Sequence, residues 1–177
     1  SMTQELQHQW VHVSYLETSQ MTETYGFVGS QGTVNLEGLL IQPRQPVSRT
    51  VFLMMHPAST LQLLPLPTAL AQAGHAVLCM GSRYAKNDTA LIYEKVALDL
   101  NACVRHAKER LGFERVVLLG WSGGGSLSLF YQSQAQQPTI AATPAGDAID
   151  LNAAQLWPAD GVVLEAAHRS RARCLTD

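Results

Sequence analysis

The sequence lacks several features that mark whole classes of protein. It holds only 3 cysteines in 177 residues, and the wide spacing of Cys79, Cys103 and Cys174 fits reduced thiols better than a disulfide framework or a metal site. No apolar run approaches the roughly 18 residues that a membrane helix requires, and the polar stretch from Gln4 to Gln9 does not resemble a signal peptide. Charged residues are 15% of the chain and the net charge is −2, so nothing electrostatic favours nucleic acid or an anionic membrane as a partner. We expect a cytoplasmic protein.

The length and the hydrophobic content of 46% are those of one domain with a single sizeable core. We therefore assign residues 1–177 to one domain. Residues 1–9 are expected to form a flexible N-terminus, and Ser1-Met2 is interpreted as the remnant of an expression tag.

Hydrophobic patterns predict strands and helices that alternate along most of the chain. An antiparallel pair of strands comes first, and single strands then alternate with helices. The predicted strands are 10–17, 33–41, 50–55, 75–80, 116–119 and 161–168, and the predicted helices are 61–73, 90–111 and one that follows Ser122. This order predicts an α/β fold whose sheet is parallel in its body.

Two stretches carry further expectations. The long helix 90–111 has one apolar face, so its charged residues, among them Lys95, Arg105 and Arg110, are expected on a solvated face. Gly112 is expected to end this helix in the left-handed conformation. Residues 136–158 are rich in alanine, threonine and proline and are predicted to form an irregular surface connection.

The most informative motif is Gly120-Trp121-Ser122-Gly123-Gly124, which matches G-x-S-x-G. It follows a buried strand and precedes a helix, and in that context the motif indicates a nucleophile elbow. Glycine is needed there because a side chain two residues before or after the serine would clash. Two alternatives are a glycine-rich turn that only packs and one that holds phosphate, but no Lys-Ser or Lys-Thr follows, as a nucleotide loop requires.

The order of elements resembles the α/β-hydrolase fold over nearly the whole chain. The strand that ends at His56-Pro57 resembles the third strand of that family. The strand that ends at Ser122 resembles the fifth, and residues 161–168 resemble the sixth. Within the superfamily the chain is most similar to bacterial serine-hydrolase-type members with a Gly-Trp-Ser-Gly-Gly-Gly elbow.

The resemblance implies roles for individual residues. Ser122 would be the nucleophile, and the N–H of Gly123 would be one donor of the oxyanion hole. Relatives carry His-Gly in the loop that supplies the second donor, where this chain has His56-Pro57. Because proline has no N–H, Ala58 is expected to be the second donor, with Ser59 as the alternative. Each donor would lower the barrier by roughly 3 kcal/mol.

Three further residues are expected to support or adjoin the site. His56 is expected to brace the oxyanion loop by hydrogen bonds. Trp121 either lines an acyl pocket or packs beside the elbow. Arg83 lies where peptidase-like relatives carry Asp-x-Arg, but Gly81 takes the place of the acid, so Arg83 is interpreted as structural.

The sequence offers no convincing histidine base to take the proton of Ser122. In this fold the triad runs serine, acid, histidine along the chain, and most relatives carry the last two after the seventh and eighth strands. His168 is the only histidine after Ser122 and Asp177 is the last acid, and both are weak candidates. The remaining histidines show no metal-ligand spacing, so no metal or other cofactor is expected.

We therefore interpret the chain as the N-terminal part of an α/β hydrolase that lacks the acid and base and is inactive by itself. The strand 161–168 would then lie at an open sheet edge. We expect this edge to pair with a second copy in a homodimer or with the missing segment.

Three functions fit these observations. The leading one is a serine hydrolase that acts on a small-molecule ester, thioester or amide through an acyl-Ser122 intermediate. The second is a non-catalytic binding protein that keeps the elbow as scaffold. The third is acyl transfer from the same serine to an acceptor other than water. The sequence does not identify the acyl group.

Overall fold

The computed structural model describes residues 4–18, 21–23, 32–56, 64–85, 91–121, 123–142 and 148–165. Strands and helices alternate along these residues, as the hydrophobic patterns predict. The elements are β1 (Leu6–Glu17), β2 (Thr22–Glu23), β3 (Gly32–Pro43), β4 (Thr50–Met54), α1 (Pro65–Gln72), β5 (Ala76–Met80), α2 (Tyr93–Glu109), β6 (Arg115–Trp121), α3 (Gly123–Gln136), β7 (Ile140–Ala142), β8 (Ala148–Asp150) and β9 (Gly161–Glu165).

The main sheet has six strands in the order β1-β3-β5-β4-β6-β9. β1 pairs antiparallel with β3 over its whole length, from Leu6 opposite Pro43 to Glu17 opposite Gly32. β3 is antiparallel to β5, whereas β5, β4, β6 and β9 are mutually parallel. The predicted antiparallel pair and the parallel body of the sheet are therefore confirmed. Because the strands are parallel, the ends of β4, β6 and β9 meet at one edge.

Helices cover the two faces of this sheet. α2 and α3 pack on one face, over a large cluster that includes Leu53, Leu78 and Leu118. α1 covers a smaller cluster on the other face, formed around Met54, Val77, Cys79 and Leu119. All five residues of β5 are buried, as is typical of a central parallel strand covered on both faces. Gly112 follows α2 with φ +79°, which agrees with its expected role at the helix end.

The predicted end of the flexible N-terminal segment was wrong. The sequence predicts a flexible segment over residues 1–9, whereas β1 begins at Leu6. Residues Leu6 to Gln9 pair with Leu40 to Pro43 of β3. The side chains of Gln7, His8 and Gln9 are exposed, because an outer strand needs pairing on one side only and tolerates polar residues. A polar composition therefore does not exclude a strand there.

The expectation for residues 136–158 was also wrong. This segment contains β7 and β8, which form a small sheet with β2 in the order β2-β8-β7. Ile149 and Leu151 are fully buried, so the segment contributes to the core instead of crossing the surface. The Tyr131 hydroxyl of α3 donates to the Trp157 carbonyl oxygen over 2.6 Å, which fixes the far end of the segment. The alanine-rich composition conceals these few core residues.

Lys95 departs from the expected solvated face of α2, since it is only 7% exposed. β9 is the outermost described strand on its side of the sheet, and Val163 on it is 44% exposed. Pairing of this edge with a second copy or another segment stays a prediction. Residues 166–168, which the predicted strand also included, lie outside the described ranges.

A buried cluster of charged and polar groups joins β1, the segment after β5, and α2. Arg83 Nη2 donates to Glu17 Oε1 over 2.8 Å and to Asp99 Oδ1 over 2.9 Å. Tyr15 donates its hydroxyl to the same Asp99 oxygen over 2.5 Å. Glu17 and Asp99 are 1% and 0% exposed. The Arg83 guanidinium therefore neutralises the charge of both buried carboxylates. This arrangement agrees with the structural interpretation of Arg83.

The protonation states in this cluster follow from burial and charge. Burial, the largest single effect, lowers the pKa of Arg83, but Asp99, Tyr15 and Glu17 together outweigh it, so that the pKa of Arg83 lies well above its usual range. Burial, reinforced by the charge of Asp99, raises the pKa of Tyr15. Arg83 therefore stays charged and Tyr15 stays protonated as a donor at all moderate pH values.

Replacing Arg83 by methionine should strongly destabilise the protein. The change would leave Glu17 and Asp99 buried without their cation, which costs about 3 to 5 kcal/mol when one partner of a buried pair is removed. We expect this fall in the free energy of unfolding by urea at neutral pH. The control is Arg44→Met, since Arg44 and Glu5 pair at 3.7 Å with side chains 73% and 81% exposed, and the loss there should stay below about 0.5 kcal/mol. Similar losses in the two variants would contradict this account.

Candidate active site

The chain changes from strand to helix within one residue at the end of β6, which lies between β4 and β9 in the sheet. β6 ends at Trp121 and α3 begins at Gly123. Ser122 stands between them and lies outside the described residues. In open α/β sheets the carboxyl ends of the parallel strands form the edge at which ligands bind. The predicted nucleophile is therefore flanked by elements that meet at that edge.

Gly120 lies two residues before Ser122 and packs against the start of α3. A Cβ atom at Gly120 would lie 2.6 Å from the Cα of Gly125 and 3.1 Å from Cδ2 of Leu164. Atoms do not approach so closely without displacement of the backbone. Glycine at position 120 thus allows the first turn of α3 to lie directly against the end of β6.

Gly124 lies two residues after Ser122 and packs against the end of β4. A Cβ atom at Gly124 would lie 2.8 Å from the carbonyl oxygen of Met55 and 3.8 Å from the Cα of His56. The obstacle is backbone, which cannot rotate away as a flexible side chain can. Side chains two residues before or after Ser122 would therefore clash, as the sequence predicts.

His56 is the predicted loop residue that the structure describes. It follows β4, is half-buried, and lies beside the first turn of α3 through the contact at Gly124. Burial lowers its pKa, which favours the neutral imidazole at neutral pH. Ala58 and Ser59, the expected second donors, lie outside the described residues, as do His168 and Asp177.

Trp121 is half-buried and packs against the smaller core cluster, which includes Met54, Cys79 and Leu119. Of the two roles expected for Trp121, this contact favours packing beside the predicted elbow over lining an acyl pocket. The structure thus brings Gly123, His56 and Trp121 to the same edge of the sheet.

One pair of residues near this edge was missed by the sequence analysis. The Tyr93 hydroxyl hydrogen-bonds to the Ser126 side chain, and the Tyr93 ring meets the Phe130 ring edge-on at 5.5 Å. These contacts tie the first turn of α2 to α3 just beyond the elbow. No local pattern in the sequence indicates these contacts, because Tyr93 is far from Ser126 and Phe130 along the chain.

Other candidate chemistry among the described residues is limited. The thiols of Cys79 and Cys103 are free and buried, and burial raises the pKa of Cys79 to about 12, so both are unreactive core residues, as expected. Within the described ranges no group of three or more histidine, cysteine or acidic side chains could hold a metal ion. None of the helices that the structure describes is long and apolar enough to span a membrane.

The fold agrees with a sequence comparison. Residues 57–152, more than half of the chain, match the family described as "alpha/beta hydrolase fold". The chain therefore belongs to the α/β-hydrolase family. No curated protein sequence matches it.

Solved structures of this fold resemble the chain over about three quarters of its length. A bacterial heroin esterase superposes with a TM-score of 0.51 at 18% identity, over 74% of this chain and 40% of the esterase. Brefeldin A esterase, a bacterial homologue of human hormone sensitive lipase, gives 0.48 at 20% identity, over 73% of this chain and 36% of that one. An α/β serine hydrolase homologue from Coxiella burnetii gives 0.48 at 16% identity, over 75% and 82%. The chain thus spans well under half of the length of the two esterases.

Gly124→Ala should destabilise the protein through the contact with Met55. Overpacking of this kind costs about 1 to 3 kcal/mol, and we expect such a loss in urea unfolding. Gly161→Ala is the matched control, because a Cβ there would meet only Val117 methyl groups at 3.7 and 3.8 Å, an ordinary contact. Its stability should change by less than about 0.5 kcal/mol. An unchanged stability of Gly124→Ala would show that α3 does not pack on β4 as described.

Proposed function

We propose that this protein is a serine hydrolase that cleaves a carboxylic ester, thioester or amide through an acyl-Ser122 intermediate. The observation that carries the proposal is the packing at Gly120 and Gly124. Both glycines lie against other backbone or core atoms, so the strand-to-helix turn closes within one residue. In a nucleophile elbow, a strained turn lifts the serine hydroxyl above the sheet. A turn that only connected two elements would not need such contacts on both sides.

The proposed reaction has two halves. In the first, Ser122 Oγ attacks the substrate carbonyl carbon while a base takes its proton, and the tetrahedral intermediate collapses as the alcohol, thiol or amine leaves with a proton. In the second, water attacks the acyl-serine, the carboxylic acid departs, and the proton returns to Ser122. Atoms balance as the addition of one water to the substrate.

The start of α3 supports stabilisation of the negative oxygen in both halves. The N–H of Gly123 lies at the N-terminus of the helix, where backbone donors and the helix dipole favour an anion. The contact between Gly124 and Met55 holds the end of β4 against the same turn. His56 therefore lies next to the start of α3, and we assign the N–H of Ala58, two residues later, as the second donor, with Ser59 as the alternative.

We place the base and the acid outside the described residues. Among the described histidines, His8 and His12 lie on β1, His75 precedes β5, and His106 is near the end of α2, all away from the end of β6. His56 is close, but its place after β4 suits a brace for the oxyanion loop. His168 is the candidate base within this chain.

Intact mass after incubation with a fluorophosphonate tests this proposal. The protein is treated with and without added imidazole, which can replace a histidine base that is not in place. We expect one phosphonyl adduct in at least one of the two conditions. Ser122→Ala should abolish the adduct in both, whereas Ser126→Ala, one helical turn away, should keep it.

The pattern of labelling also locates the base. An adduct that forms without imidazole and is lost in His168→Ala would identify His168. An adduct that needs imidazole would show that the chain by itself supplies no base. Absence of an adduct under both conditions, or its persistence in Ser122→Ala, would contradict the proposed nucleophile and favour a binding protein.

A further inference from the structure

β1 is an outer strand of the main sheet, and among the described strands it pairs only with β3. Half of the N–H and C=O groups of an outer strand point away from the sheet and can pair with another extended chain. Proteins usually block such an edge with lysine, proline or a bulge. β1 contains no lysine, arginine or proline, and its pairing with β3 is unbroken over 12 residues.

A groove runs between this free edge and α2. Residues His12 to Tyr15 line a cleft of about 440 Å³ together with Ala102, Arg105, His106, Glu109 and Arg110. Successive residues of a strand point to opposite faces, so four consecutive lining residues mean that the strand edge itself borders the cleft. A second cleft of about 260 Å³ shares Tyr15, Ala102 and Arg105 and continues to Leu16 and residues 153–155. We call the two together the β1–α2 groove.

The α2 side of the β1–α2 groove carries more positive than negative charge. Arg105 and Arg110 line it, and Glu109 is the one acidic residue among the lining residues. His106 also lines it, and burial and the charge of Arg110 lower the pKa of that imidazole, so it adds a neutral side chain. Arg105 is held in place, because its Nη2 donates to the Gln155 carbonyl oxygen over 2.7 Å and its guanidinium lies 4.7 Å from the centre of the Trp157 ring. Its Nε is buried, so a ligand could meet only the outer part of the guanidinium. The groove therefore offers a cation whose position is fixed.

We propose that the β1–α2 groove binds an extended acidic polypeptide segment, which adds to β1 as a further strand and places a carboxylate beside Arg105 and Arg110. The free edge supplies main-chain hydrogen bonds, and the basic stripe on α2 selects the side chains, as in other sites where a peptide extends a sheet. This site is separate from the proposed nucleophile, which lies at the end of β6, four strands away in the sheet order.

The shape of the groove favours a polypeptide over a small anion. A small anion would use the arginines alone and would gain nothing from the main-chain groups at the outer edge of β1. The stretch from His12 to Leu16 is about 16 Å long at roughly 3.3 Å per residue. It would pair with about four or five residues of an extended ligand, whose alternate side chains would enter the groove.

Fluorescence anisotropy with labelled peptides tests the proposal. The probe is a capped peptide of about eight alternating valine and glutamate residues, long enough to cover the groove. The first comparison peptide has lysine for glutamate, and the second keeps glutamate but is N-methylated at alternate backbone nitrogens. We expect the glutamate peptide to bind at least about tenfold more tightly than either, since one lacks the charge and the other the main-chain donors.

Single variants assign the binding to the groove. Arg110→Gln should weaken binding of the glutamate peptide by about three- to fivefold, and Glu109→Gln should strengthen it by a similar factor, as expected for exposed charge pairs. Arg44→Gln is the matched control and should leave binding unchanged. On binding, the amides among residues 12–16 that point away from β3 should gain protection from hydrogen exchange.

Several results would overturn the proposal. Equal binding of the glutamate and lysine peptides would remove the charge selection. Binding that is insensitive to N-methylation, or that leaves the β1 amides unprotected, would indicate an ionic contact without strand addition. Absence of binding up to about 1 mM peptide would mean that the groove is not a peptide site.

Discussion

The close approach of Gly124 to the Met55 carbonyl is the contact on which the rest of the candidate site depends. It brings the start of α3, the end of β6 and the end of β4 together at one point of the sheet edge. No side chain can be inserted there without moving backbone. The position of the first turn of α3 relative to the end of β4 is thus set by packing of main chain on main chain in a close-packed interior.

Two sets of polar contacts farther from this point fix the position of α2. Tyr93 links α2 to α3 one turn beyond the elbow, and the Arg83 cluster joins α2 to β1 and to the segment after β5. Both use buried polar groups whose partners are specific, so they fix the placement of α2 more narrowly than apolar contacts alone. The same placement opens the β1–α2 groove, because the residues of α2 that follow Asp99 run along the edge of β1.

The predicted elements were largely correct because hydrophobic periodicity determines which residues must be buried. β5 and β6 read as buried strands, and they are. Their order in the sheet could not come from periodicity, since β4 lies between β5 and β6 only after the chain has crossed back. The resemblance to the α/β hydrolases matched three strands to the third, fifth and sixth of that fold, but the order in the sheet was not predicted. β7 and β8 were missed because strands of three residues carry too few side chains for a period to show.

Some features of the candidate site could likewise be predicted from the sequence, and others could not. Gly120 and Gly124 could be predicted, since a local motif required a turn too tight for side chains. The bond between Tyr93 and Ser126 could not, because the two residues are distant in sequence and meet only through helix packing. Arg105 was expected on a solvated face, yet it stacks on Trp157, a residue from the segment whose burial the composition concealed.

The central claim is that the elbow directs the Ser122 hydroxyl at an oxyanion site between α3 and the loop after β4. A crystal structure of the phosphonylated protein measures this most directly, because the phosphonyl oxygen stands in for the oxyanion. The account predicts that this oxygen lies about 3 Å from the Gly123 nitrogen and from a second backbone nitrogen after His56. A phosphonyl oxygen that points to solvent, away from the start of α3, would contradict it.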